Sequence, residues 1–267
     1  MKENQKISIN STVLYVIAFL LTTIIHESGH AIIGLLNGSE PILHHNYVEH
    51  LGINQLSIFQ KVSISLAGPL FSLVQGLIVG LFYLKIKKQS FCKLFLLWFS
   101  VLGFSNFFGY LMTGPIFKMG DIGKVFLLTN IPLVMQIIIA IIGCAILFYI
   151  AYKLTIPFLQ FSYKQEWISD PKSRKDFSFN IIILPWIIGS LIVTILYLPI
   201  IAIVSIIYPF TSGMIFIFPW QNAKRINNLK PSTNIKIGEY SVLLYLLMLI
   251  LIVVFRVFLA PGIVLSR

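Results

Sequence analysis

Charge is scarce in this chain. Of its 267 residues 11% are charged and 57% are hydrophobic, whereas soluble domains carry about 25% charged residues. That excludes a soluble globular protein and implies a multi-pass integral membrane protein, most simply of the cell membrane. Polar blocks are also short. The longest, Phe161 to Asn180, reads as a loop, so residues 1–267 form a single transmembrane domain with no separately folding soluble part. Two cysteines, Cys92 and Cys144, are too few for a disulfide framework or a cysteine-ligated metal site. The basic residues form no patch interleaved with aromatics, which argues against nucleic acid. Their excess, a net charge of +11, is spread over short connections and suits a lipid bilayer with anionic headgroups. After Lys2 and Lys6 the first apolar run lacks a small-residue cleavage site, so it reads as a retained span and not a signal peptide. Internal repeats are absent.

The apolar runs imply an all-α fold of about seven transmembrane helices. The first covers about Ser11 to Leu36, the second Val62 to Leu84, the third Leu94 to Phe117 and the fourth Val125 to Tyr152. The stretch Ile181 to Trp220 is too long for one crossing of about 20 residues, and Pro199 divides it into two. A last span covers Tyr240 to Leu259. Between the first two spans, Glu40 to Lys61 contains β-branched and aromatic residues suited to a short hairpin.

Inside the first span stands His26-Glu27-Ser28-Gly29-His30. Residues four apart share one helix face, so His26 and His30 can offer two imidazoles to one zinc ion. Glu27 is placed to take a proton from a metal-bound water. Ionisable groups in a span are costly, and three within five residues need a compensating gain. A hydrolytic zinc site takes a third protein ligand and leaves its fourth position to water. The candidates are Asp121, Glu40, Glu49 and the loop histidines His44, His45 and His50. Topology favours Asp121: spans one and three run in the same direction, and Asp121 follows span three at a break made by Gly114 and Pro115. The alternative roles for Asp121 are a pair with Lys118 or Lys124, or a cap on the next helix. His44 and His45 read as interfacial polar residues. Gly29, Gly34, Gly68 and Gly76 suit close packing of helices around the site.

With these residues in place, the chain resembles the site-2 protease family of intramembrane zinc metalloproteases. The likeness covers about Ser11 to Lys124. It rests on the motif from His26 to His30, on Ser65-Leu66-Ala67-Gly68-Pro69-Leu70, and on the order Asn106, Pro115, Asp121. The resemblance implies a three-helix catalytic core at 11–124 with additional helices over 125–267. It implies zinc held by His26, His30 and Asp121, with Glu27 catalytic, Asn106 contacting substrate, and membrane-protein substrates. The family's aspartate is normally followed by glycine, and here Ile122 stands in that place. The gap from Asn106 to Asp121 is also longer than the family's. No PDZ-like or CBS-like domain is visible.

Two non-proteolytic classes compete with that reading. A relative that grips membrane proteins without cutting them has no need of Glu27. A metal transporter needs polar residues along several spans, and spans four to seven offer almost none. Sidedness pulls two ways. About fifteen of the twenty basic residues lie at the N-terminus and in the stretches Lys85–Lys93, Lys153–Lys175 and Gln221–Lys236. The positive-inside rule makes these cytoplasmic and sends His30 and Asp121 outward, while the resemblance implies a site open to the cytoplasm.

Overall fold

The computed structural model describes residues 3–199, 204–227, 229–232 and 237–266. The chain is predominantly helical. Helix α1 runs Glu3–Leu36, followed by strands β1 (Glu40–Leu43) and β2 (Val48–Leu51). Next come α2 (Ile58–Lys85), α3 (Phe91–Thr113), α4 (Asp121–Leu128), α5 (Leu133–Lys153) and α6 (Thr155–Leu159). The rest comprises α7 (Pro171–Ser178), α8 (Leu184–Leu196), α9 (Val204–Thr211), α10 (Ile217–Asn222), α11 (Val242–Val253) and strand β3 (Ile263–Val264).

Among the described residues six helical stretches are long and apolar enough to cross a membrane: Glu3–Leu36, Ile58–Lys85, Phe91–Thr113, Leu133–Leu159, Pro171–Leu196 and Val242–Leu259. Within 181–220 the described residues supply one helix of that length, and residues 200–203, next to the Pro199 division, lie outside the described residues. The first part of 181–220 belongs to a helix that begins earlier, inside the stretch read as a loop. The Asp170 side chain accepts from the Lys172 and Ser173 amides, and Pro171 occupies the first turn, a strong start signal. A π-helical turn, Phe179–Ile183, then joins α7 to α8. Beyond the break, α9 and α10 are only two turns or less. The fourth span also starts later than expected. The chain breaks after α4, with Asn130 at φ 51° and Pro132 just before α5.

Beside the helices, the stretch between the first two spans forms the short hairpin that its residues suggested, and a further strand joins it. A three-stranded antiparallel sheet of order β2-β1-β3 is present. The hairpin pairs Glu40 with Leu51 and Leu43 with Val48. The third strand, from the far end of the chain, pairs Ile42 with Val264 and Leu43 with Ile263.

The chain resolves into two compact units. Unit 1 comprises Met1–Phe19, Ile78–Val101 and Phe148–Ile250. Trp98 is fully buried at its centre, edge-on to Tyr15 and Phe216, and its indole N–H donates to the Ser11 hydroxyl at 3.0 Å. Asn10 and Ser11 of α1 are thus buried with partners: Ser11 donates to the Ile181 carbonyl, and Asn10 accepts from the Tyr245 hydroxyl at 2.7 Å. Every buried polar group named here has a partner, as burial requires.

Unit 2 comprises Leu20–Leu77, Leu102–Leu147 and Leu251–Arg267, and it contains the histidine motif, the sheet and Asp121. Here α1 and α2 approach at glycines. A Cβ at Gly29 would come within 2.9 Å of the Ala67 carbonyl oxygen, and one at Gly34 would strike the His50 ring. Close approach of backbones is the usual use of small residues in apolar helices. It brings α2 against the motif-bearing face of α1.

Candidate metal centre

His26 and His30 lie one turn apart on α1 and are buried, at 3% and 7% exposure. Their rings are nearly perpendicular, with centroids 4.8 Å apart, so both Nε2 atoms converge on one point. The third group arrives from outside the long helices. Helix α3 ends at Thr113, and the chain turns through Gly114 and Pro115. The Phe117 amide closes on the Thr113 carbonyl, and the Gly120 amide on that of Phe117. Gly123 fits where a side chain would strike the Phe117 carbonyl. Asp121 then opens α4, with Gly120 as the residue before it and no side-chain cap.

The Asp121 carboxylate is therefore not spent on capping. Its Oδ2 lies 3.0 Å from His26 Nε2 and 3.2 Å from His30 Nε2, and the two Nε2 atoms are 3.1 Å apart. Its ion-pair contacts among the described residues are these imidazoles and not Lys118 or Lys124. Burial pushes the Asp121 carboxyl up, but the neighbouring imidazoles outweigh burial and hold it well below the usual carboxylate range.

Hydrogen bonding on the far side of each ring fixes what the near side offers. His30 Nδ1 lies 2.7 Å from the Ile64 carbonyl, which can only accept, so Nδ1 carries the hydrogen. His26 Nδ1 faces the Ser72 hydroxyl at 3.3 Å, and that hydroxyl donates to the Gly68 carbonyl at 3.2 Å. Ser72 therefore accepts from His26. With both rings neutral, bare Nε2 lone pairs face each other and a carboxylate oxygen; with a second proton on one imidazole, its Nε2–H donates to Asp121 Oδ2. The three atoms, 3.0–3.2 Å apart, are held together by a positive charge among them, either a metal ion or a proton on one imidazole. Zinc–nitrogen and zinc–oxygen bonds of about 2.0–2.1 Å in a tetrahedron put ligand atoms about 3.3–3.4 Å apart, close to this spacing. The group His26, His30 and Asp121 can hold a metal ion.

Gly68 is what lets α2 cover this triangle. A Cβ there would strike His30 Nε2 and come within 2.7 Å of His26 Nε2. The following residue, Pro69, lies inside α2 and takes the helical donor from the Ser65 carbonyl, the neighbour of the Ile64 carbonyl that serves His30.

Glu27 is buried and within electrostatic range of His26, His30, Asp121 and Lys124. Asn106 is buried on α3, one turn before Tyr110, whose ring stacks on that of His26 with centroids 5.2 Å apart and planes within 10°. Residues one turn apart share a face, so Asn106 stands on the site-facing side of α3. Ile122 is buried and packs beside Gly114.

The other candidate ligands lie elsewhere. Glu40 and Glu49 are on the hairpin strands. His44 stacks on Tyr47, and its Nδ1 donates to the Ala260 carbonyl. His45 is buried edge-on to Phe255. His50 shares a hydrogen bond with the Ser39 hydroxyl. Three supporting groups, the Ile64 carbonyl, Ser72 and Tyr110, escaped the sequence reading. A backbone carbonyl has no sequence signature, and an apolar helix with a serine or tyrosine is unremarked. Compared with known proteins, the chain matches no family model, no curated protein and no solved structure.

Proposed function

We propose that this chain is an intramembrane zinc metalloprotease of the site-2 protease type that hydrolyses peptide bonds of membrane-embedded protein substrates. The observation that carries the reading is the converging triangle of His26 Nε2, His30 Nε2 and Asp121 Oδ2 with Glu27 next to the first ligand. Two imidazoles and one carboxylate are a donor set suited to zinc, with a fourth position left for water. Zinc held there supplies Lewis acidity and lowers the pKa of a bound water toward 7.

The chain's own groups do the rest. The Glu27 carboxylate takes a proton from the attacking water, whose oxygen bonds to the peptide carbonyl carbon. The C–N bond then breaks, and Glu27 returns the proton to the departing nitrogen. Burial of Glu27 and both histidines keeps bulk water from competing, which strengthens each electrostatic contact. The apolar helices supply the setting in which a membrane-embedded segment can reach these groups.

The test is incubation of the full chain, in detergent or nanodiscs, with mixed membrane-protein fragments. Wild type is compared with Glu27→Gln, each with and without a zinc chelator. Loss of a general base costs about 10²–10⁴-fold, so the variant cleaves at least about 100-fold more slowly, and chelator abolishes cleavage by wild type. Cleavage indifferent to both treatments would contradict the proposal. Fragments retained by the zinc-loaded protein but never cut would make it a binding protein.

A further inference from the structure

His26 and His30 are not held equally. The Ile64 carbonyl grips His30 at 2.7 Å, whereas the bond from His26 to Ser72 is 3.3 Å long, and the same hydroxyl also serves the Gly68 carbonyl. N–H···O bonds are strongest near 2.9–3.0 Å, so the hydrogen bond alone orients the His26 ring weakly. What lies flat on that ring is Tyr110. The same tyrosine reaches toward the third donor: a Cβ at Gly120, the residue before Asp121, would lie 3.8 Å from Tyr110 Cε1. One planar side chain from α3 therefore stacks on a donor ring on α1 and stands near the residue that precedes the carboxylate of α4.

We propose that Tyr110 is a positioning residue. Its ring face fixes the rotation of the His26 imidazole, and through that ring it sets metal affinity. The inference rests on the metal-site reading given above. It assigns the role to the aromatic face and not to the phenol hydroxyl.

The experiment titrates the purified full chain with Co²⁺, reading the visible d–d absorption, and with Zn²⁺ in competition with a chromophoric chelator. The variants are Tyr110→Phe, Tyr110→Leu and Tyr110→Met, with thermal unfolding of the metal-free protein measured alongside. Groups that orient metal ligands are worth about 10–100-fold in affinity. Tyr110→Leu and Tyr110→Met therefore bind Zn²⁺ at least about tenfold more weakly and shift the Co²⁺ spectrum, while Tyr110→Phe keeps both. Met retains bulk without a planar face, so it decides the matter if the Leu variant does not fold. Wild-type affinity and spectrum in the Met variant would overturn the inference, as would a Phe variant as weak as Met. A wild type that binds neither ion would overturn the metal site itself, and this role with it. A variant that loses affinity only in step with a lower unfolding temperature of the metal-free protein would overturn the positioning role in favour of simple packing.

Discussion

At the scale of single residues, the tightest constraint on the site is a missing methyl group. Gly68 faces both donor nitrogens, and any side chain there would occupy their meeting point. Gly68→Ala should therefore cost more than about tenfold in zinc affinity, at least the loss seen when supporting groups are removed. Because alanine is the better helix former, α2 should not be weakened by propensity. Equilibrium dialysis of the variant against buffered zinc checks this, and unchanged affinity would mean that the donors do not converge as described. His50 gives a pH prediction. Burial, with smaller contributions from His30 and Lys124, pushes its imidazole down from 6.5 to about 4. A group whose folded pKa is depressed contributes stability that is present above its unfolded value and lost as pH falls through the folded one. The hairpin should thus weaken between about pH 6.5 and pH 4. An NMR titration of the His50 ring should give an apparent value near 4, and one near 6.5 would refute the assignment. The motif residues were legible in the sequence because three ionisable groups in an apolar run are costly and need a compensating gain. Tyr110 and Ser72 were not, since their roles come from the direction of approach of α2 and α3 and not from any local pattern.

At the scale of elements, apolar run length announced most of the helices, and chain breakers decided where they stop. Gly114 and Pro115 end α3 and put Asp121 at the head of α4, as their chemistry implies. The beginning of α7 was equally legible in Asp170-Pro171, but the polar composition around it masked the signal. The third strand was not legible, because two exposed residues, Ile263 and Val264, show no alternation to read. That strand is held by backbone pairing with β1, including the Leu265 amide to the Pro41 carbonyl at 2.9 Å. Its entry depends on Gly262 at φ +96°, where a Cβ would also come within 2.5 Å of the His44 ring. Gly262→Ala should cost about 1–2 kcal/mol locally, the price of a left-handed backbone in an L-residue. Faster amide hydrogen exchange at Leu265, with α2 and α3 unaffected, is the expected readout. Exchange at the wild-type rate would show that the strand tolerates the change.

At the scale of the whole molecule, charge is divided as unequally as sequence alone suggested. Only Lys61, Lys118, Lys124, Arg256 and Arg267 of the twenty basic residues fall in unit 2. Unit 1 also carries lysines set over aromatic rings, among them Lys175 over Trp220 at 4.5 Å and Lys93 over Tyr83 at 5.1 Å. Lysines and aromatics together favour a headgroup layer, and basic connections favour the cytoplasmic one. A reporter fused before residue 1 should accordingly be cytoplasmic, and a periplasmic or extracellular signal would reverse the assignment.

The central claim, one zinc ion held by His26, His30 and Asp121, is tested most directly by elemental analysis of the purified chain and of three variants. Wild type should carry about one zinc per chain. His26→Ala, His30→Ala and Asp121→Ala should each lose most of it, because each removes one of three protein bonds, whereas Glu27→Gln should keep it. A wild type free of metal after loading with zinc, or full occupancy in Asp121→Ala, would contradict the account.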